Sequence, residues 1–326
     1  MAAKRMQEWF PGTETPLVVS APMAGVTNAR LACEVVKAGG LGFIQGGRVF
    51  KPGSPDIVKL EAQLAQAREV LQNHNRQGAQ SGILPVGVGF VLYSESAGTH
   101  FGQTAVPILA RHRPAAVWLF APDPERPDTL AVVVNALKKS DAAAWKPKIV
   151  VQVGTVAAAR EAAALGADVI VAQGVDAGGH GFVNAGSFVS LVPEVSDMLR
   201  EEFGGKEIAV WAAGGIVDGR GVASALALGA EAAVIGTRYM VATESDAESY
   251  KRKALISATD GGFNTVKSQM HDHLQGNYTW PSAYDARAIV HPLYRDGQKG
   301  MNIKENEARY KAAQEKGDVS MLITWS

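Results

Sequence analysis

Ala162–Gly174 (AAALGADVIVAQG) and Ser224–Thr237 (SALALGAEAAVIGT) are one phrase written twice. Each reads as the end of a helix, a glycine at the C-cap (Gly166, Gly229), a one-turn connection and then an apolar strand. The strand portions are apolar without alternation, as strands buried on both faces of a parallel sheet must be. A repeated αβ unit points to such a sheet, because parallel neighbours need a crossover helix between them.

The same rhythm extends outward in both directions. Short apolar runs bounded by glycine, proline or polar residues begin at Leu17 (LVVSAPMA), Leu41 (LGFIQGG), Pro85 (PVGVGFVL) and Ala116 (AVWLFAP). Four more begin at Lys148 (KIVVQVGT), Asp168 (DVIVAQG), Ile208 (IAVWAAGG) and Ala232 (AAVIGTRY). Helical segments lie between them. Asn28–Lys37 opens on an N-cap residue and closes on Ala38-Gly39-Gly40, Thr155–Leu165 is capped by Thr155 and stopped by Gly166, and Asp218–Leu228 is stopped by Gly229. Eight βα units in series with right-handed crossovers predict a closed TIM (β/α)8 barrel of the α/β class rather than an open doubly wound sheet. After Glu244 the rhythm stops. Residues 245–304 are polar and aromatic and are expected to form a smaller, mainly helical domain inserted near the C-terminus. The expected division is a barrel over 1–244, this cap over 245–304, and a last helix within 305–326 returning to the barrel.

Composition narrows the partners. With 326 residues, 47% hydrophobic content and 35 glycines, the chain can bury a sizeable core. Lys+Arg and Asp+Glu balance at 32 each, so no basic field attracts nucleic acid or anionic lipid, and a small-molecule partner is favoured. The one cysteine, Cys33, falls on an apolar helical pattern and reads as packing in a reducing compartment. The opening MAAKRMQEWFPGTETP lacks the apolar core of a secretory signal, and no run of about 18 apolar residues occurs. A cytoplasmic protein is expected. Apolar positions on the outer helices serve a core or a homodimer interface equally well, so the oligomeric state stays open.

A barrel of this kind places its chemistry at the C-terminal ends of the strands, with phosphate typically held by the loops after strands seven and eight. Ala212-Ala213-Gly214-Gly215-Ile216 and Gly236-Thr237-Arg238 occupy those loops, and their glycines let backbone N–H groups approach an anion. Strand one ends in Ala21-Pro22-Met23-Ala24-Gly25, where Met23 is placed to lie against a flat ring. Strand five ends at Gln152, whose amide both donates and accepts, suiting a heteroaromatic edge. The sixth leads into AQGVDAGGHGFVNAG, Ala172–Gly186, with five glycines around one histidine, His180. Phosphate at two rim loops with a planar group across the mouth describes flavin mononucleotide. No GxGxxG follows the first strand, so a Rossmann dinucleotide site is not indicated.

Three stretches carry a family resemblance: APMAGVTNARLACEVVKAGGLGFI, GADVIVAQGVDAGGHG and VWAAGGIVDGRGVASALALGAEAAVIGTRYMVATES, which together span most of Ala21–Ser245. The sequence resembles the nitronate monooxygenases, formerly 2-nitropropane dioxygenases, and the related flavin-dependent enoyl-acyl-carrier-protein reductases. The resemblance implies an FMN-containing barrel that oxidises nitronates or nitroalkanes with O2 to carbonyl compounds and nitrite. It implies FMN contacts at Met23, Ala24, Gln152, Gly179, Gly214, Gly215, Gly236 and Thr237, with Ala21, Gly178 and Ala213 beside them, and His180 as the active-site histidine. In that setting the imidazole would take the α-proton of a neutral nitroalkane or hold the nitronate oxygens. Two departures bear on substrate and electron acceptor. Bacterial members tend to carry an asparagine after the third strand, where this chain reads Gly87-Val88-Gly89-Phe90, and a lysine at the position of Gln152.

Other readings stay open at this level. An NAD(P)H-dependent enoyl or quinone reductase shares most of the motifs, and a flavin-free barrel binding a phosphorylated metabolite shares the glycine rims. His271 and His273 in QMHDHL have metal-ligand spacing but no third ligand, so no metal is expected. Tyr278, Trp280 and Tyr284 line a substrate pocket or pack the cap, and His74, His100 and His112 receive no role.

Overall fold

The structure, a computed structural model, describes residues 2–72, 82–140 and 145–326; His74 lies outside them. The eight expected runs form strands: β1 (Leu17–Ser20), β2 (Phe43–Gly47), β3 (Leu84–Val91), β4 (Pro114–Phe120), β5 (Lys148–Val153), β6 (Val169–Gln173), β8 (Ala209–Ala213) and β9 (Ala232–Ile235). A further short strand, β7 (Gly179–Phe182), lies in the glycine-rich stretch. The eight pair in parallel in the order β1-β9-β8-β6-β5-β4-β3-β2. A parallel bridge between Val19 and Leu41 joins the two ends of that order, so the sheet closes on itself as a TIM barrel. Ser20 N to Leu41 O (3.1 Å), Leu41 N to Val18 O (3.0 Å) and Phe43 N to Ser20 Oγ (3.0 Å) hold the seam.

The unbroken apolar strands are explained by two cores. Val169 and Val171 of β6 point into the barrel while Ile170 and Ala172 point out under the helices, so every position is buried. The interior is filled by Phe43, Trp118 and Trp211, with Phe43 and Trp118 edge to face at 5.1 Å. The helix Ala2–Trp9 closes the N-terminal end: Phe10 lies 5.8 Å from the Trp211 ring, and Arg5 pairs with Glu231, the residue before β9. That plug was not part of the sequence reading, because a charged amphipathic turn gives no sign of what it covers.

Helix caps follow the sequence. Asn28, Thr155 and Asp218 accept from the amides of Leu31, Ala158 and Arg220, and Gly166 closes its helix in the left-handed region. Cys33 is buried between barrel and helix, and burial pushes its thiol up to about 12. Among the described residues, no helix is long and apolar enough to cross a membrane.

The cap contains the helices Ser249–Ser257, Gly261–Asn264, Met270–Leu274 and Pro292–Gln298, and also two strands, β10 (Thr265–Ser268) and β11 (Tyr284–Ile289). β11 pairs antiparallel with β10 on one side and with β7 on the other, so main-chain hydrogen bonds fasten the cap to the glycine-rich loop. The helix Ile303–Lys316 packs on Met270–Leu274 and Pro292–Gln298. Its Tyr310 shares a small core with Leu274, Ala288, Leu293 and Ile323.

Candidate active site

The strand ends gather the expected residues around the mouth of the barrel. After β1 come Ala21 and Met23, half-buried, and Ala24, exposed in the turn. After β9 comes Gly236, where an added Cβ would lie 3.7 Å from Met23 Sδ and 3.8 Å from Ala21 Cβ, so these two loops touch. Met23 also packs on Val26, Met240 and Ala247, while its amide donates to Thr27 Oγ1 at 3.0 Å. β8 ends at Ala213, which faces the barrel interior, and runs into Gly214 (φ +108°) and Gly215 (φ +70°). A Cβ on Gly214 would meet Gly174 O at 2.9 Å and Ala177 N at 3.1 Å. Glycine is required there twice over, by the backbone conformation and by the lack of space.

Among the described residues, no protein group accepts from the amides of Gly214, Gly215, Gly236 or Thr237. β8 and β9 are neighbours, so these four N–H groups sit on adjacent strand ends. Unsatisfied amides grouped in this way suit an anion such as a phosphate. Gly178 borders the same place: a Cβ there would lie 2.9 Å from Thr237 Oγ1 and would overlap the Ser326 carbonyl.

His180 stands on β7, opposite Ala286 of β11. The strand is pressed onto the barrel mouth, for Gln173 Nε2 donates to His180 O at 3.2 Å and a Cβ on Gly154 would come 2.7 Å from Phe182 Cβ. Gly179 has open space on its side-chain side. The imidazole Nε2 lies 3.0 Å from both carboxylate oxygens of Asp272, whose side chain is only 4% exposed. The His180 side chain is 20% exposed, so it still reaches the mouth. Trp280 stacks on its ring at 3.9 Å, 10° from parallel, and Trp325 is tilted against it at 5.2 Å. Tyr93 meets Trp280 at 4.5 Å, and Phe120 and Tyr284 extend the aromatic wall. The Tyr284 hydroxyl donates to Pro122 O at 2.8 Å, and burial raises its pKa, so it stays a donor.

Gln152 has one end already engaged: Trp118 Nε1 donates to its Oε1 at 3.0 Å. An indole only donates, so the amide oxygen must face it and the NH2 is left as the free end. That bond fixes which way the amide points, with its NH2 presented as a donor.

The two histidines of QMHDHL part company. His271 is fully buried, with Nδ1 3.3 Å from His291 Nε2 and Nε2 3.2 Å from Val266 O. His273 stacks on Tyr278 at 4.7 Å, and the Tyr278 hydroxyl donates to Glu307 on the surface, away from His180. Among the described residues, no cluster of three or more His, Cys, Asp or Glu is placed to hold a metal. Burial lowers the pKa of both His271 and His291, the latter to about 4. His112 pairs with Glu61 and His100 with Thr99, both outside the mouth.

Sequence reasoning missed Asp272, which stands between the two histidines that drew attention, and left Trp280 undecided between pocket and packing. One signal was available: in YDARAI, Tyr284, Ala286 and Ala288 alternate with the polar Asp285 and Arg287, the period of a strand with one face inward. Read as a strand, it would have called for a partner in the glycine-rich loop and brought the cap to His180.

The family model described as nitronate monooxygenase matches residues 96–278, more than half of the chain. A nitronate monooxygenase of Neurospora crassa is 44% identical over 333 aligned positions, covering 100% of this chain and 86% of that protein. One of Metarhizium robertsii is 38% identical, covering 95% of this chain and 82% of its own length. Among solved structures, FabK from Thermotoga maritima superposes with a TM-score of 0.70 at 25% identity, covering 98% of this chain and 87% of that one. A nitroalkane oxidase from Streptomyces ansochromogenes superposes at 0.66 with 24% identity, covering 98% and 90%. Barrel, rim glycines and capped histidine thus come together in a chain that belongs to the nitronate monooxygenase family.

Proposed function

We propose that this chain is an FMN-dependent oxidoreductase that oxidises nitronates and nitroalkanes with O2 to carbonyl compounds and nitrite. The observation that carries the reading is His180, held between Asp272 and Trp280 at the barrel mouth beside a rim of unsatisfied amides. The residues present fit FMN. Gly214, Gly215, Gly236 and Thr237 would hold its phosphate through backbone N–H groups, with Gly178 close by. Met23, Ala21 and Ala24 from the first loop, Gln152 through its NH2, and the open side of Gly179 would border the ring. Bound FMN would supply the electron acceptor and the reaction with O2.

The protein's own part is proton work and exclusion of water. The imidazole of His180 takes the α-proton of a neutral nitroalkane, and the imidazolium so formed holds an oxygen of the resulting nitronate by a hydrogen bond. Trp280, Tyr93 and Phe120 give the mouth an apolar wall, in which the charge on the substrate is felt more strongly than in water. The residues 245–304 act in this reading as the substrate-side cap. The single buried Cys33 supports a cytoplasmic location.

The test is direct. The purified protein should be yellow and release FMN on denaturation; a colourless protein that cannot be reconstituted with FMN would overturn the reading. Anaerobic mixing separates the flavoenzyme types. Bleaching by a nitronate supports the monooxygenase, whereas bleaching by NADH or NADPH alone would assign the chain to the reductases.

A further inference from the structure

We propose that Asp272 is a positioning residue that fixes His180 as the Nε2–H tautomer, so that Nδ1 is the atom that takes the substrate proton. The inference rests on the reading of His180 as the proton acceptor and says which nitrogen acts and what sets it. A carboxylate only accepts hydrogen bonds, so the ring nitrogen 3.0 Å from both Asp272 oxygens has to carry the hydrogen. Among the described residues, no other side chain donates to Asp272, and a carboxyl group this deeply buried demands a donor. In a neutral imidazole the second nitrogen then holds the lone pair, and no protein group among the described residues hydrogen-bonds His180 Nδ1. A flip of the ring would place Cε1–H against the carboxylate and leave it without its donor. Trp280, parallel at 3.9 Å, holds the ring plane.

Both partners are themselves held. Asp272 stands in the helix Met270–Leu274, whose His271 and Leu274 are buried in the cap. His180 is fixed by the β7–β11 ladder and by Gln173. The dyad therefore joins barrel to cap across 92 residues of sequence and forms only when the two are docked.

The step balances simply. The α-C–H bond of the nitroalkane breaks, the proton forms an N–H bond at Nδ1, and the electron pair of the broken bond spreads onto the nitro group, giving the nitronate. The imidazolium keeps its Nε2–H on Asp272, whose negative charge compensates the positive charge just formed.

Nitrogen-15 shifts of histidine-labelled holoenzyme read the tautomer without turnover, with His180→Asn identifying the resonance. The expected wild-type signal has Nε2 protonated and Nδ1 bare; the opposite pattern overturns the proposal even if no variant of Asp272 folds. Asp272→Asn presents an amide that donates to Nε2 and should transfer the ring hydrogen to Nδ1. Neutral nitroalkane turnover should then fall about 100-fold or more, whereas turnover of preformed nitronate falls less than about 10-fold. Asp272→Glu should recover part of the nitroalkane loss. Equal losses on both substrates in Asp272→Asn would overturn the proposal. If His180→Asn loses nitroalkane turnover and Asp272→Asn does not, Asp272 alone is misassigned. If His180→Asn keeps nitroalkane turnover, the proton-acceptor reading falls, and this proposal with it.

Discussion

Trp280 and His180 lie face to face, ring centroids 3.9 Å apart and planes 10° from parallel, one residue from the cap and one from the barrel's glycine loop. Stacking of this kind contributes about 0.5–1.5 kcal/mol beyond area burial. Trp280→Ala should therefore reduce nitroalkane kcat/KM by about 2- to 12-fold through looser placement of the imidazole. Trp280→Phe, which keeps a flat ring, should retain most of the activity. Steady-state kinetics on both variants check this; an alanine variant as active as the wild type would show that the stack does not position His180.

Gly214→Ala is expected to lose the cofactor. Its φ of +108° is foreign to L side chains, and the methyl group would press on Gly174 O and Ala177 N, both backbone atoms with nowhere to move. The cost is on the order of 1–3 kcal/mol, and it falls on the turn that presents the free amides. Gly317→Ala, at the C-cap of the helix Ile303–Lys316 and outside the mouth, makes the contrast: φ is +67° but the space is open, so about 1 kcal/mol of backbone strain and no loss of flavin are expected. Flavin content per protomer and melting temperature measure the two. Equal flavin content in both variants would contradict the assignment of the amide rim.

The barrel was legible because each strand is buried twice. Val169, Ile170, Val171 and Ala172 all sit in one core or the other, and so short an apolar run after the Gly166 stop is what a parallel strand covered on both faces asks for. Asn28, Thr155 and Asp218 were legible for a local reason, since a cap is a contact between residues two or three apart. β7 was not, because Gly-His-Gly-Phe has little tendency to extend; it is a strand only because Tyr284–Ile289 pairs with it. Asp272 was invisible for the same reason: its partner is 92 residues away, and a lone acid between two histidines carries no local pattern.

Tyr284→Phe should loosen the cap without touching His180. The lost hydroxyl bonds Pro122 O at the end of β4, and the ring itself is buried against Phe120 and Phe182. Leaving that carbonyl unpaired costs about 1–3 kcal/mol. Urea unfolding should show a lowered midpoint with flavin content retained. A midpoint equal to the wild type would mean that water replaces the hydroxyl and that the bond contributes nothing.

Stability should fall in acid through His291. Its Nδ1 accepts from Tyr294 N at 3.4 Å and its Nε2 faces His271 Nδ1 at 3.3 Å, whose own Nε2 faces Val266 O, a chain that is satisfied when both rings are neutral. Burial first, and then the neighbouring His271, lower its pKa from the ordinary 6.5 to about 4. In the unfolded chain the ring binds a proton below its ordinary value, while in the folded protein it stays neutral down to about 4. The folded state is therefore favoured above that ordinary value, loses stability as pH falls through the window between the two, and levels off below it. The loss is on the order of 3 kcal/mol, and burial of His271 adds to it in the same direction. His291→Asn keeps an oxygen to cap the helix Pro292–Gln298 and cannot titrate. Melting temperatures of wild type and variant at about pH 4.5 and about pH 7 isolate the effect. The variant should start lower at neutral pH, having lost the bond to His271, and fall less in acid. Parallel declines in the two proteins would assign the acid sensitivity to other groups.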